Sequence, residues 1–200
     1  MVAPVARTEA VRDTYFGVTV QDPYRWLEDV GSDEVRGWLE GQAAHARSVL
    51  DALGHRAALL ARVAELRGDG PARSGFAAAG GAVFHLRRDA GAEVAALVVR
   101  GPGGRPERAL LDPGAMAGAA HSAIDWYVPS PDGGHVACGV SQGGSEWSTL
   151  HVVETASGRL LDDALGGALF PFVSWLEDGG SFPSFVYHRH RDPPPGAPPE

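Results

Sequence analysis

The stretch that decides the fold is WYVPSPDGGHVACGVSQGGSEWSTLHVVETASGRLL, at residues 126–161. It contains two runs with alternating apolar side chains, at 135–141 and 147–154, and the start of a third run at 159–161. Glycine-containing turn sequences, QGGS and TASG, separate the runs. An apolar period of two predicts β-strands, and short glycine-rich connections predict hairpins. The stretch therefore predicts an antiparallel meander of at least three strands.

The chain around this meander continues the β pattern. Strand-like runs at 82–87 and 93–100 flank the turn Arg88-Asp89-Ala90-Gly91, which predicts a hairpin. Everything beyond residue 75 reads as short strands, as in a sandwich, a barrel or a propeller.

A weak repeat favours the propeller among these architectures without excluding the other two. Trp126 precedes an Asp-Gly-Gly turn at 132–134, and Trp175 precedes another at 178–180, which lies 46 positions further on. Four-stranded propeller blades repeat at roughly 40–50 residues. At that spacing, residues 75–191 supply about two to three blades.

The first part of the chain has a helical pattern instead. From Ser32 to Gly54 the apolar residues recur at steps of three and four, which predicts an amphipathic helix. Ser32 suits its first turn and Gly54 suits its C-terminal cap. A second helix carries Leu59, Leu60, Val63 and Leu66 on one face and closes at Arg67-Gly68. Both apolar stripes need a larger body against which to pack.

Composition excludes several classes of function. The 200 residues contain 25 acidic and 17 basic side chains, a formal net charge of −8, so we expect neither a nucleic-acid nor a membrane partner. The single cysteine, Cys138, cannot form an internal disulfide. No signal-peptide pattern and no apolar run long enough to span a bilayer are present, so we expect a cytoplasmic protein.

One segment matches a catalytic motif literally. Gly139-Val140-Ser141-Gln142-Gly143 has the G-x-S-x-G form of a nucleophile elbow, which needs a strand followed by a helix. Here the motif is followed by another strand. Asp and His residues do occur later in the chain, in the Ser…Asp…His order of a catalytic triad. The nominal partners are Asp162 or Asp163 and His188 or His190. We therefore interpret the segment as a hairpin turn and expect no catalytic role for Ser141.

The remaining candidates have structural explanations. His188 and His190 could share a metal on one face of a strand, but two ligands rarely suffice, so we expect a solvated strand end. The adjacent carboxylates at 28–29 and 162–163 point mostly apart, and Cys138 is expected to be a small buried hydrophobic residue. No phosphate-binding glycine loop is present. The sequence thus predicts no catalytic, cofactor-binding or metal-binding residue and no cofactor.

The segment Asp22-Pro23-Tyr24-Arg25-Trp26-Leu27-Glu28-Asp29 concentrates aromatic and charged residues. We expect Pro23 and the rings to anchor an extended N-terminal arm, with Arg25 stacked or ion-paired among the acids. A ligand site is the alternative.

This segment also carries a resemblance. The tract YFGVTVQDPYRWLED at 15–29, followed by a helix bearing Trp38 and Gln42, is similar to the N-terminal region of the prolyl oligopeptidase family of serine peptidases. The Arg-Trp-Leu-Glu-Asp form resembles prolyl endopeptidase more than oligopeptidase B. Further matches follow collinearly as far as Tyr187. They are LLDP at 110–113, PSPDGG at 129–134, SQGGSEW at 141–147, ETASG at 154–158 and VSW at 173–175.

The resemblance implies an architecture. Members combine an α/β-hydrolase domain with a seven-bladed propeller, and their first residues pack as helices on the hydrolase domain. Residues 1–70 would then be the helical arm of the peptidase domain, 71–191 the first propeller blades, and 192–200 a proline-rich tail. The chain departs from the pattern at Pro183, which interrupts an expected aromatic strand.

The resemblance also implies a function, cleavage of short peptides after proline by a Ser-Asp-His triad. The triad belongs to the hydrolase domain, and nothing in these 200 residues aligns with it. We therefore expect the N-terminal, propeller portion of such a peptidase, inactive by itself. The alternative is a non-catalytic binding module, in which open strand edges pair with a separate hydrolase-domain chain or with another copy.

Overall fold

The chain forms two compact units, Met1–Gly68 and Asp69–Glu200. The computed structural model describes residues 2–68, 70–116, 121–176 and 184–190. Three predicted features lie outside the described residues, namely the turn at 178–180, Pro183 in its strand, and the tail at 192–200.

The first unit begins with a hairpin that the sequence did not predict. Strands β1 (Val11–Tyr15) and β2 (Val18–Asp22) pair antiparallel. Phe16 and Gly17, which join them, both have positive φ, as the tightest hairpin turns require. The predicted extended arm is therefore folded back on itself before the segment at 22–29 begins.

Two helices follow, α1 (Asp33–Asp51) and α2 (Arg56–Arg67). The Ser32 hydroxyl accepts a hydrogen bond from the Val35 backbone N–H at 3.3 Å, which confirms its predicted capping role. The prediction for Gly54 was wrong, because α1 is capped at Ala52 and Gly54 lies in the short connection to α2. Gly68 caps α2 with a φ of 65°, as predicted.

The second unit is built from antiparallel strands in chain order. The first sheet contains β3 (Ala72–Ala79), β4 (Ala82–Arg88), β5 (Ala96–Arg100) and β6 (Glu107–Leu111). The second contains β7 (Ser122–Pro129), β8 (His135–Gln142), β9 (Thr149–Glu154) and β10 (Leu160–Leu165). A hairpin of β11 (Val173–Leu176) and β12 (Ser184–Tyr187) follows.

Each four-stranded sheet is a sequential meander, the form of a propeller blade, and β11 and β12 begin a third. The sequence prediction of a mainly β chain with N-terminal helices and about two to three blades is confirmed. The two sheets pack face to face, and the residues between them form one apolar core. Its fully buried members include Phe84 and Leu97 of the first sheet and Val136, Cys138 and Val153 of the second.

The two blades also meet backbone to backbone at their first turns. The Gly80 N–H donates to the Pro131 carbonyl at 3.1 Å. A Cβ placed on Gly80 would lie 1.8 Å from the Asp132 carbonyl oxygen, so only glycine fits. Asp132 accepts hydrogen bonds from the Ser130 hydroxyl and the Gly134 N–H, which lower its pKa and fix the Asp-Gly-Gly turn.

A second core lies on the other face of β8. The Trp126 indole N–H donates to the Ala168 carbonyl at 3.1 Å, and the ring lies across Gly139. A Cβ on Gly139 would approach the indole to 2.3 Å. The first glycine of the serine motif is therefore required by packing.

Among the described residues, no helix is long and apolar enough to cross a membrane.

Replacing Gly139 by Ala should lower the free energy of unfolding by about 1–3 kcal/mol, because the added methyl group overpacks against Trp126. Urea unfolding monitored by tryptophan fluorescence measures this change. Gly166→Ala is the matched control in the same unit, since nothing lies within 4 Å of its added Cβ. Equal effects of the two substitutions would contradict the packing argument.

Candidate functional site

The serine motif lies at the end of strand β8, where the Asp125 carboxylate binds two serine hydroxyls. Asp125 lies at a bulge, where the register of β7 and β8 shifts between Ile124 and Trp126. Its carboxylate accepts hydrogen bonds from the Ser141 hydroxyl at 3.0 Å and from the Ser148 hydroxyl at 2.6 Å. Both serines are buried. These two hydrogen bonds connect β7 with β8 and with the residue before β9.

This geometry does not assemble a nucleophile and a base. Asp125 is the only side chain recorded as a hydrogen-bond partner of Ser141 in the described part of the chain. Strand β9 follows the motif, so the motif does not lead into a helix as a nucleophile elbow does. The nominal partners lie elsewhere, Asp162 and Asp163 exposed on β10 and His188 and His190 beyond β12. The absence of catalytic residues stays a prediction.

The second unit gathers aromatic rings from three separate connections. Trp147 precedes β9, Phe170 and Phe172 precede β11, and His188 and His190 follow β12. We call these five residues the aromatic cluster. Ring centroids are 6.1 Å apart for Trp147 and His190, 5.6 Å for the two phenylalanines, 5.8 Å for Phe172 and His188, and 4.9 Å for the two histidines.

Backbone hydrogen bonds fix the three connections to one another. The His188 N–H donates to the Phe172 carbonyl at 3.1 Å, and the His190 N–H donates to the Gly167 carbonyl at 2.9 Å. The Ala168 N–H donates in turn to the Ser148 carbonyl at 3.0 Å. The aromatic cluster is therefore positioned by sheet-like pairing, although its side chains are in solvent.

The exposure of the aromatic cluster is unusual for rings of this size. Trp147 is 55% exposed, Phe170 51% and Phe172 61%. Contiguous exposed apolar surface commonly marks an interaction site. A cavity of about 240 Å³ adjoins Trp147, with Gln142, Thr149 and His151 among its lining residues, which adds hydrogen-bonding groups beside the rings.

The sequence analysis identified only part of this cluster. His188 and His190 were considered as metal ligands, and both are exposed beyond the strand end, as predicted. The described residues contain no group of three or more His, Cys, Asp or Glu side chains that could hold a metal ion. The missed signal was the matching two-residue spacing of Phe170 and Phe172.

The charged segment of the first unit contains the ion pairs that the sequence predicted as one possibility for Arg25. Arg25 pairs with Asp13, with Asp22 at 3.0 Å and with Glu28 at 3.3 Å. The Tyr24 backbone N–H and Arg25 both hydrogen-bond Asp22 and lower its pKa. The ion pairing of Arg25 is confirmed.

The stacking in this segment involves a different arginine. The guanidinium group of Arg7 lies 4.7 Å from the Trp26 ring centroid, and the indole N–H of Trp26 donates to the Arg7 carbonyl at 2.9 Å. Trp26 also packs edge-on against Trp38 of α1. These contacts fix the N-terminal residues onto the rest of the unit.

Comparison with known proteins decides the family. Residues 3–194 match the family described as prolyl oligopeptidase, N-terminal beta-propeller domain. The chain belongs to this family. Its resemblance to prolyl oligopeptidases is thereby confirmed, and Ser141 lies in a propeller blade of the family's N-terminal domain.

Relatives of this propeller family are named as peptidases. The chain is 24% identical to a prolyl endopeptidase of Elizabethkingia meningoseptica over 194 residues, which are 97% of this chain and 27% of the relative. It is 29% identical to a prolyl oligopeptidase of Omphalotus olearius over 209 aligned positions, covering 90% of this chain and 28% of that protein. The chain thus spans less than a third of these relatives.

Solved structures agree in fold. A prolyl endopeptidase structure, from a study of inter-domain dynamics in catalysis and specificity, superposes with a TM-score of 0.70 and 28% identity. The match covers 98% of this chain and 32% of that one. Prolyl oligopeptidase B from Galerina marginata, bound to a 35-residue hydrolysis and macrocyclization substrate, gives a TM-score of 0.69 and 25% identity, with 94% and 29% coverage.

Replacing Ser141 by Ala should leave fluorophosphonate labelling of the protein unchanged, because a buried serine held by a carboxylate is not an activated nucleophile. Labelling of both proteins on a gel measures this outcome. The substitution should lower the free energy of unfolding by about 1 kcal/mol through the lost hydrogen bond. Labelling of the native chain that disappears in the variant would contradict this assignment.

Proposed function

We propose that this chain forms the opening part of the substrate-gating propeller of a cytoplasmic serine peptidase that cleaves short peptides after proline. In this proposal residues 1–70 are the helical arm that docks on a hydrolase domain, 71–191 are the first blades, and 192–200 are a proline-rich tail. The observation that carries the proposal is the family match over residues 3–194. The names of the relatives support the reaction type.

The aromatic cluster supports a role in substrate contact. Proline rings and extended proline-containing segments dock on surfaces lined with aromatic side chains, because they are pre-ordered and apolar. Trp147, Phe170 and Phe172 offer three such rings in solvent, and the polar cavity beside Trp147 offers partners for a peptide backbone. We assign the aromatic cluster as the peptide-contact surface of the described residues.

A blocked peptide containing three consecutive prolines should bind the purified chain weakly, and Phe172→Ala should weaken binding about fivefold through loss of one ring contact. Chemical-shift titration by NMR measures both affinities. Phe16→Ala is the control, since Phe16 is a fully exposed phenylalanine of the first unit that is not part of the aromatic cluster. Equal binding of a peptide with alanines in place of the prolines would refute the assignment.

The purified 200-residue chain should not hydrolyse a chromogenic proline-amide substrate. The physical reason is that Ser141, its motif serine, is buried and paired with Asp125 instead of a histidine. The measurement is release of the chromophore over hours at micromolar protein. Turnover that persists after repeated purification and is lost in Ser141→Ala would show that the chain is itself a hydrolase.

A second candidate function is a binding module without catalysis, and helix α2 favours it. No residue of α2 is buried, and its apolar side chains are largely in solvent. Their exposed fractions are 57% for Leu59, 51% for Leu60, 59% for Val63 and 69% for Leu66. Such a stripe needs a protein surface to cover it. In the first proposal that surface is a hydrolase domain; in the second it is another chain or another copy.

Light scattering separates these two candidates. If the module pairs with its own copies, the chain should self-associate at low micromolar concentration, and Leu60→Gln with Val63→Gln should shift it towards the monomer because the apolar stripe is interrupted. The paired control is Leu39→Gln with Val49→Gln on α1, both about half exposed. A well-behaved monomer at these concentrations would count against the second candidate.

A further inference from the structure

The aromatic cluster is anchored to β7 at the bulge in that strand. Ile124 pairs with Val140 and Trp126 pairs with Gly139, so Asp125 is an extra residue with no partner on β8. A bulge changes the direction in which a side chain points. Here the Asp125 carboxylate binds the hydroxyl of Ser148, the residue before β9, although β8 lies between β7 and β9 in the sheet.

The hydrogen bond between Asp125 and Ser148 is short, and its donor is buried. The Ser148 Oγ lies 2.6 Å from Asp125 Oδ2, whereas the Ser141 Oγ lies 3.0 Å from Oδ1. Hydrogen bonds from a hydroxyl to a carboxylate are stronger than those between neutral groups. Ser148 is 1% exposed, so loss of the carboxylate would leave a buried hydroxyl unpaired.

Ser148 connects Asp125 with two of the three connections that carry the aromatic cluster. It follows Trp147 directly, so a fixed Ser148 side chain restricts the backbone that carries the indole. Its carbonyl accepts the Ala168 N–H at 3.0 Å, and Ala168 lies two residues before Phe170.

Ala168 is also held through its own carbonyl. This carbonyl accepts the indole N–H of Trp126 at 3.1 Å, and Ala168 is 1% exposed. The carbonyl of the preceding residue, Gly167, accepts the His190 N–H at 2.9 Å, which includes the third connection. Because these bonds do not involve Asp125, loss of its carboxylate should leave the blade folded and loosen the connection before β9.

We propose that Asp125 is a positioning residue for the peptide-contact surface, because through Ser148 it determines where the Trp147 indole lies relative to His190. The two ring centroids are 6.1 Å apart, and Trp147 is 55% exposed, so its surroundings cover less than half of the ring. A ring that is fixed before binding loses less conformational freedom when a peptide docks on it. The effect on peptide binding rests on the proposed function, whereas the placement of the ring does not.

The two serines that share the Asp125 carboxylate provide a matched pair of variants. Ser148→Ala and Ser141→Ala each remove a buried hydroxyl and one hydrogen bond, so both should lower the thermal midpoint. Only Ser148→Ala should abolish the nuclear Overhauser contacts between the Trp147 indole and the His190 imidazole, since the residues beside Ser141 carry no ring. Loss of these contacts in both variants, or in neither, would overturn the proposal.

Asp125 itself is tested with a conservative and a non-conservative change. Asp125→Asn keeps one oxygen that accepts a hydrogen bond and supplies an amide group that donates one, so the contacts between Trp147 and His190 should persist. Asp125→Ala removes both partners and should abolish the contacts. Equal spectra of the two variants contradict the proposal, and the serine pair decides it if Asp125→Ala does not fold.

Peptide binding separates this inference from the proposed function. The blocked triproline peptide should bind Ser148→Ala about fivefold more weakly than Ser141→Ala, because one ring contact is displaced. If the peptide binds the native chain and both serine variants equally, Asp125 does not position the surface for binding. If it does not bind even the native chain while the ring contacts respond as expected, the peptide-contact assignment fails and the positioning of Trp147 by Asp125 stands.

Discussion

Strand β8 is buried on both of its faces, and the second unit is organised around it. The side chains of Val136 and Cys138 point into the core shared with the first sheet, and Ala137 and Gly139 lie on the face that Trp126 covers. A strand that is covered on both sides must have side chains sized for two different neighbours. Val136 and Cys138 fill the space on the first face, and an alanine and a glycine leave room for an indole on the second. Burial also raises the pKa of the Cys138 thiol to about 12, so this cysteine is a packing residue.

This constraint gives the residues of the G-x-S-x-G segment structural roles. Gly139 is small because Trp126 lies across it, and Gly143 has positive φ because the chain turns there. Ser141 between them is a small polar residue held by Asp125 at the bulge. Each position of the G-x-S-x-G pattern thus has a separate structural cause. A short motif acquires catalytic meaning only from the strand-turn-helix context that this blade lacks.

Local signals in the sequence were enough to predict most elements but not how they meet. The Ser32 cap, the helix end at Gly68 and the blade turns follow from residues close together in the chain, whose hydrogen bonds are local. The hairpin of β1 and β2 was missed because its side chains are mostly exposed and give no clear alternation. The aromatic cluster was identified only at His188 and His190, because three segments that are distant in the sequence build it. A residue pattern within one segment does not predict contacts between segments that are distant in the sequence.

Two features of the second unit depart in opposite ways from the usual burial of apolar groups and pairing of polar groups. The aromatic cluster leaves apolar rings in water, whereas His85 places a polar ring in the protein without a partner. Neither arrangement lowers the free energy of the isolated chain, since covering the rings and pairing the imidazole would each be favourable. A packed structure tolerates such departures where another molecule completes them. In the proposed function, a proline-containing peptide would cover the rings of the aromatic cluster.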